Sequence, residues 1–169
     1  MRRAWRRLPL AILTRVPWGA GAVLFGLGAS QVGQAAGSMR EVIPVVIETA
    51  NRSVTIQAEV ACSRAERALG LMGRASLEPD AGMIFLVPKP RVMRMWMAET
   101  PLALDFVFFD SSGYIKKMEK NAEPMSERTI ESGEKAAGVL ELRGGRIDEL
   151  ELKLNNKLLY DYPQWRCEP

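Results

Sequence analysis

The chain of 169 residues contains no histidine. That absence excludes Ser-His-Asp and Cys-His catalysis and every histidine-ligated metal centre. Only two cysteines are present, Cys62 and Cys167. They are too few for a four-thiolate zinc site and too far apart for a Cys-x-x-Cys redox pair. No glycine loop of the P-loop or dinucleotide type occurs. Catalysis in such a chain has to rest on carboxylates, lysines, arginines, hydroxyls or a lone thiol, and neither a metal nor a cofactor is expected.

A second absence divides the chain. Residues 1–35 have no lysine and no acidic side chain, yet they hold Arg2, Arg3, Arg6, Arg7 and Arg15. Taking these five from the 23 basic residues leaves 18 against 20 acidic ones. Residues 36–169 therefore carry a formal charge of −2, although the whole chain carries +3. The basic pI belongs to the N-terminal segment, and nucleic acid is discounted as a partner.

That segment has the parts of a signal peptide in order. A basic stretch is followed by an uncharged one from Val16, with small residues at Gly33 and Ala35 as a loose cleavage match. Six glycines between Gly19 and Gly37 make it a poor lipid-spanning helix. The expectation is an exported, periplasmic or secreted protein. A membrane is its partner only if the leader stays uncleaved as an anchor. The Arg2-Arg3 pair leaves the general and twin-arginine export routes both open. In an oxidising compartment an even cysteine count suggests a Cys62–Cys167 disulfide, against the alternative of a buried Cys62 and a free thiol on the tail.

After a linker at 36–41, residues 42–169 read as a single domain. Val54, Ile56, Ala58 and Val60 alternate with polar neighbours, the period-two pattern of a strand with one buried face. The polar break at Ala50–Arg52 makes this strand and the preceding IPVVIET a hairpin. Ser63 and Glu66 have capping-box spacing for a short helix that places Ala65, Ala68, Leu69 and Met72 on one face, with Gly70 or Gly73 ending it. Met83–Val87 reads as a buried strand, Pro88 and Pro90 as bracketing a turn, and VMRMWM as another strand. Phe106–Asp110 and Tyr114–Glu119 form a second hairpin. A short strand at Gly138–Leu142, a helical turn after Gly145 and a final strand in KLLYDY complete the pattern. The fold expected is α+β and predominantly β: a small mixed sheet or partly closed β-barrel with one or two short helices.

Candidate chemistry gathers around Glu99, Thr100, Asp105 and Asp110 with Arg64, Arg67 and Arg74. Asp105 interrupts an apolar strand, where a carboxylate needs a partner to offset desolvation. It is read either as a ligand-binding or acid/base group, or as an ion pair or loop-capping hydrogen bond. Trp96 and Met97 either line an apolar groove or fill the core. Met93, Met95 and Met97 are soft packing, with a thioether copper patch as the alternative.

Several motifs in order carry a family resemblance. Glu66, Arg67, Gly70, Leu71 and Met72 are followed by Arg74, Leu77, Gly82, Met83 and Phe85. Then come Trp96, Met97, Thr100, Leu104 and Asp105, and Phe109, Asp110 and Gly113. Asn121, Ala122 and Pro124 precede a Val139–Leu142 element. Together these resemble the DUF192 family of uncharacterised proteins. The resemblance implies a compact β-rich domain, often exported, and no established activity. Glu99 departs from the asparagine common before the threonine, and the family's last turn is matched only loosely by ELKLNNKLLYD.

The expectation for function is a non-enzymatic module of the periplasm or cell envelope that binds an unknown small molecule or an envelope protein. Its candidate binding residues are Arg67, Arg74, Trp96, Thr100, Asp105 and Asp110. The alternative is a histidine-free, carboxylate-dependent hydrolase acting on envelope material, which requires a carboxyl group with a raised pKa in a cleft. A third reading is an assembly partner without a small-molecule site.

Overall fold

The computed structural model describes residues 40–169. The leader, its cleavage point and most of the linker lie outside the described residues. Seven strands form one sheet in the order β5-β4-β6-β3-β2-β1-β7. They are β1 (Val42–Glu48), β2 (Ser53–Ala61), β3 (Ala81–Met95), β4 (Leu104–Phe109), β5 (Ile115–Ala122), β6 (Ile130–Arg143) and β7 (Lys157–Tyr160). Every neighbouring pair is antiparallel except β2 and β3, which run parallel. A parallel pair needs a crossover, and the short helix α1 (Arg64–Leu69) lies in it. A second helical turn, α2 (Arg146–Glu149), follows β6. The domain is thus predominantly β with two short helices, as expected. Among the described residues no helix is long and apolar enough to cross a membrane.

The sheet curls into a half-barrel, and its two edges meet. The turn between β4 and β5 touches the chain entering β7: Leu158 N–H donates to Gly113 O at 2.8 Å, and Ile115 N–H donates to Asn156 O at 2.9 Å. Gly113 has φ 84°, and a Cβ there would collide with the Leu158 carbonyl. Only glycine meets both conditions without strain.

Alternation along the strands creates two apolar clusters. Val45, Ile56, Ile84, Val107, Leu140 and Leu158 belong to one, which α2 helps to cover through Ile147. Met83, Phe85, Leu104, Phe106, Phe108 and Val139 belong to the other, together with Leu71, Met93 and Met97. The three methionines of the VMRMWM segment thus pack in or against this second cluster, Met95 only partly buried. The disulfide Cys62–Cys167 is formed and ties the C-terminal segment to the end of β2.

Two expectations need correction. Pro88 and Pro90 do not turn the chain between two strands. β3 runs through both, and its register against β6 shifts between Leu86 and Arg91. Proline lacks the N–H that a ladder requires, so the strand bulges where the prolines fall and resumes pairing at Arg91. The strand expected at Gly138–Leu142 is likewise only the inner end of β6, whose outer part pairs with the resumed half of β3.

Candidate functional site

Beside the second cluster lies a cavity of about 540 Å³. This is within the range of small-molecule sites. Its buried lining includes Phe85, Leu104 and Glu141. One wall comes from Ala68–Met72, at the end of α1 and just after it; another comes from Val92–Trp96, the outer half of β3. Arg64, Arg67, Arg91 and Arg94 also line it.

Local sequence explains each wall. The Ser63 hydroxyl accepts the Glu66 amide at 3.2 Å, and the Glu66 carboxylate accepts the amides of Ser63 at 2.8 Å and Cys62 at 3.0 Å. Burial pushes the Glu66 carboxyl up, but these hydrogen bonds and the charge of Arg40 carry it below the usual carboxylate range. The capping box therefore anchors α1 directly after β2. No residue of α1 is buried. Its apolar side, expected from the spacing of Ala65, Ala68, Leu69 and Met72, supplies Ala68, Leu69 and Met72 to the cavity. The opposite wall exists because the bulge lets β3 continue past its prolines.

Glu141 is the cavity's unusual residue. Its cross-strand neighbours are Met83 on β3 and Phe106 on β4, both buried and apolar. It is only 3% exposed, and its Oε2 has no hydrogen-bond partner among the described residues. Burial pushes its carboxyl up to about 8, against a smaller opposing effect of the Arg40 charge. Burial thus favours the neutral, proton-donating form of this group well above the usual carboxylate range.

The arginines around it are unevenly compensated. Arg94 donates to Glu131 at 2.7 Å. Arg64 Nε donates to the Pro169 carbonyl at 2.8 Å, and Arg67 donates to the carbonyls of Cys62 and Leu86. Arg91 has no ion-pair partner among the described residues. Burial, then the charge of Arg91, lowers the affinity of the Arg67 guanidinium for its proton, with Arg64 acting the same way and Glu168 opposing. Like charges here lie close enough to repel. No cluster of three or more histidine, cysteine or carboxylate side chains that could hold a metal occurs among the described residues.

The DUF192 family model, described as an uncharacterized ACR, matches residues 45–160. This chain belongs to the DUF192 family. Two solved structures share the fold. One, described as a candidate transcription regulator from Sinorhizobium meliloti 1021, is 36% identical with a TM-score of 0.70, covering 72% of this chain and 95% of its own. The other, a protein of unknown function from Novosphingobium aromaticivorans, is 28% identical with a TM-score of 0.70, covering 83% of this chain and 99% of its own. No curated protein matches the chain.

Within this DUF192 domain the six candidate binding residues separate into two groups. Arg67, Trp96 and Thr100 line the cavity. Trp96 is 48% exposed, while the buried Thr100 hydroxyl donates to the Ala98 carbonyl at 3.1 Å and steadies its own loop. Arg74, Asp105 and Asp110 lie elsewhere. Arg74 pairs with Glu59 at 2.5 Å, a carboxylate shared with Arg40. Asp105, fully buried, accepts the amides of Asn121 and Ile147, both at 2.7 Å. No arginine among the described residues meets it; it holds the end of β5 and the first turn of α2 together. Asp110 accepts the amides of Ser112 at 2.9 Å and Tyr114 at 3.0 Å and shapes the β4–β5 turn. Glu99 is exposed, with φ 52°, and its carbonyl accepts the Gly73 amide at 2.8 Å.

Sequence reasoning placed Glu141 only within the DUF192 motif. A signal was available: it is the single acid in the apolar run Gly138–Leu142, just as Asp105 is in its own strand.

Proposed function

We propose that this DUF192 protein is an exported binding module whose site is the cavity lined by Glu141, Arg67, Arg91 and Trp96. The observation that carries the reading is the unpartnered, buried carboxyl of Glu141 opening into a cavity of small-molecule size. A buried polar group without a partner is costly. A ligand that completes its hydrogen bonding removes that cost. The basic, glycine-rich leader and the Cys62–Cys167 link both support action in an oxidising compartment.

The raised carboxyl also favours a second reading, acid–base catalysis in a histidine-free cleft. Hydrolysis by paired carboxylates requires a second carboxyl group facing the first. Glu141 is the only acidic side chain lining this cavity among the described residues, so binding is the better supported of the two.

Amide NMR spectra of the protein lacking residues 1–37, recorded during titration with small carboxylates, amines, sugars and short peptides, test the proposal. At least one class should shift signals from Ala68–Met72, Val92–Trp96 and Glu141 together. If every shift falls outside these segments, the cavity is not the binding site.

A further inference from the structure

The cavity's charge pattern narrows the chemistry of its occupant; this step rests on the binding reading above. Four arginines line the cavity, and burial favours the neutral form of its single acidic side chain, Glu141. Glu131 compensates Arg94, and Glu168 partly offsets Arg67. Arg91 is left with no ion-pair partner among the described residues and with Arg67 as a repelling neighbour. Leu71, Phe85, Met93 and Leu104, all buried, add apolar surface to the lining.

We propose that the cavity takes an amphipathic anion, its charged head drawn to Arg91 and Arg67 and its apolar body packed toward Glu141, and that binding weakens once Glu141 ionises. An anion between two repelling guanidinium groups lowers the energy of both. The apolar body displaces water from the second cluster. A neutral Glu141 sets no charge against the anion. An ionised Glu141 would instead repel the same anion through a medium of low dielectric constant. Arg64 and Arg67 from α1 and Arg91 and Arg94 from β3 line the cavity with Glu141, and the charge that acts on its carboxyl is that of Arg40, ahead of β1; β4 presents Leu104 and Phe106 on this side. Comparison with Glu141→Gln assigns a pH effect on binding to Glu141.

Four probes with one body and different heads make the test: 4-phenylbutyrate, 4-phenylbutane-1-sulfonate, 4-phenylbutanol and 4-phenylbutylamine. Calorimetric titrations at pH 6.5 should give at least about tenfold tighter binding for the two anions than for the alcohol, with the amine weakest. Arg91→Ala should bring the anions to the level of the alcohol and leave the alcohol unchanged, because Arg91 has no ion-pair partner among the described residues. The sulfonate stays charged throughout, so its affinity for the wild type should fall between pH 6.5 and 9, while that of Glu141→Gln should stay flat. An alcohol or amine that binds as tightly as the anions overturns the anion assignment and leaves the cavity as a site. A sulfonate affinity with the same pH profile in both proteins overturns the role of Glu141. If none of the four shifts the NMR signals of the cavity walls while another compound class does, the ligand chemistry is wrong. If no class does, the binding reading falls with it.

Discussion

A carboxyl group between Met83 and Phe106 is nearly shut off from solvent, and its Oε2 has no hydrogen-bond donor among the described residues. The folded protein therefore holds the Glu141 proton more tightly than the unfolded chain, at about 8 against an ordinary 4.5. Between these values unfolding releases a proton, so each rise of one pH unit destabilises the fold by about 1.4 kcal/mol through this group. The contribution is complete below pH 4.5, declines through the neutral range and is lost above about pH 8. Glu141→Gln keeps the shape and removes the titration. Urea denaturation from pH 5 to 9 should show a steeper fall for the wild type than for the variant; parallel curves would mean that Glu141 is not a buried neutral acid. Asp105 shows the opposite solution to the same problem. Its two amide donors hold two elements in place, and Asp105→Ala should lower stability by about 3 kcal/mol. A loss well under 1 kcal/mol would contradict the clamp. In sequence the two acids look alike, each alone in an apolar strand. What separates them is what the fold brings alongside, two free amides for one and two apolar side chains for the other, and periodicity does not carry that information.

Elements whose signals are local were legible, and those whose length depends on a distant partner were not. The β1–β2 and β4–β5 hairpins follow from alternation and turn residues, and α1 follows from its capping box. β3 and β6 extend each other: the outer half of β3 has a partner only because β6 reaches back to Ile130. Nothing in the polar segment Glu131–Lys135 announces a strand by itself. The expectation therefore split β3 into two strands at its prolines and began β6 only at Gly138, whereas the two pair along most of their lengths. Contact between the sheet edges is also an element-scale feature. Gly113→Ala should weaken the β5–β7 contact, because it imposes strain at φ 84° and a clash with Leu158. A loss of about 1–2 kcal/mol is expected. Hydrogen exchange should rise at Leu158 and Ile115 and stay unchanged in β3. Equal protection at both places in the variant and the wild type would show that the edges are held by something else.

At the scale of the whole molecule, one covalent link joins the stability of the domain to the shape of its cavity. Cys62 ends the segment that launches α1, and Cys167 lies 105 residues later in the chain. The sequence left this pairing open because spacing says nothing about the distance between Cα atoms; folding brings them to 4.7 Å. Around the link, Glu168 N–H donates to the Cys62 carbonyl at 3.2 Å and Arg64 donates to Pro169. Pro169 in turn lines the cavity. A loop of this size closed by a disulfide restricts the unfolded chain by the equivalent of about 4–5 kcal/mol in the chain-entropy account, with measured losses on removal of about 2–5 kcal/mol. Cys62→Ser combined with Cys167→Ser should therefore lower the urea midpoint. It should also raise hydrogen exchange in residues 163–169 and at the start of α1, while β4 and the inner half of β6 keep their protection. Treatment of the wild type with a reductant should reproduce both effects. If the midpoint holds and only the tail loosens, the link shapes the cavity wall without stabilising the domain. If neither changes, the polar contacts of Arg64 and Glu168 are sufficient to hold the segment in place.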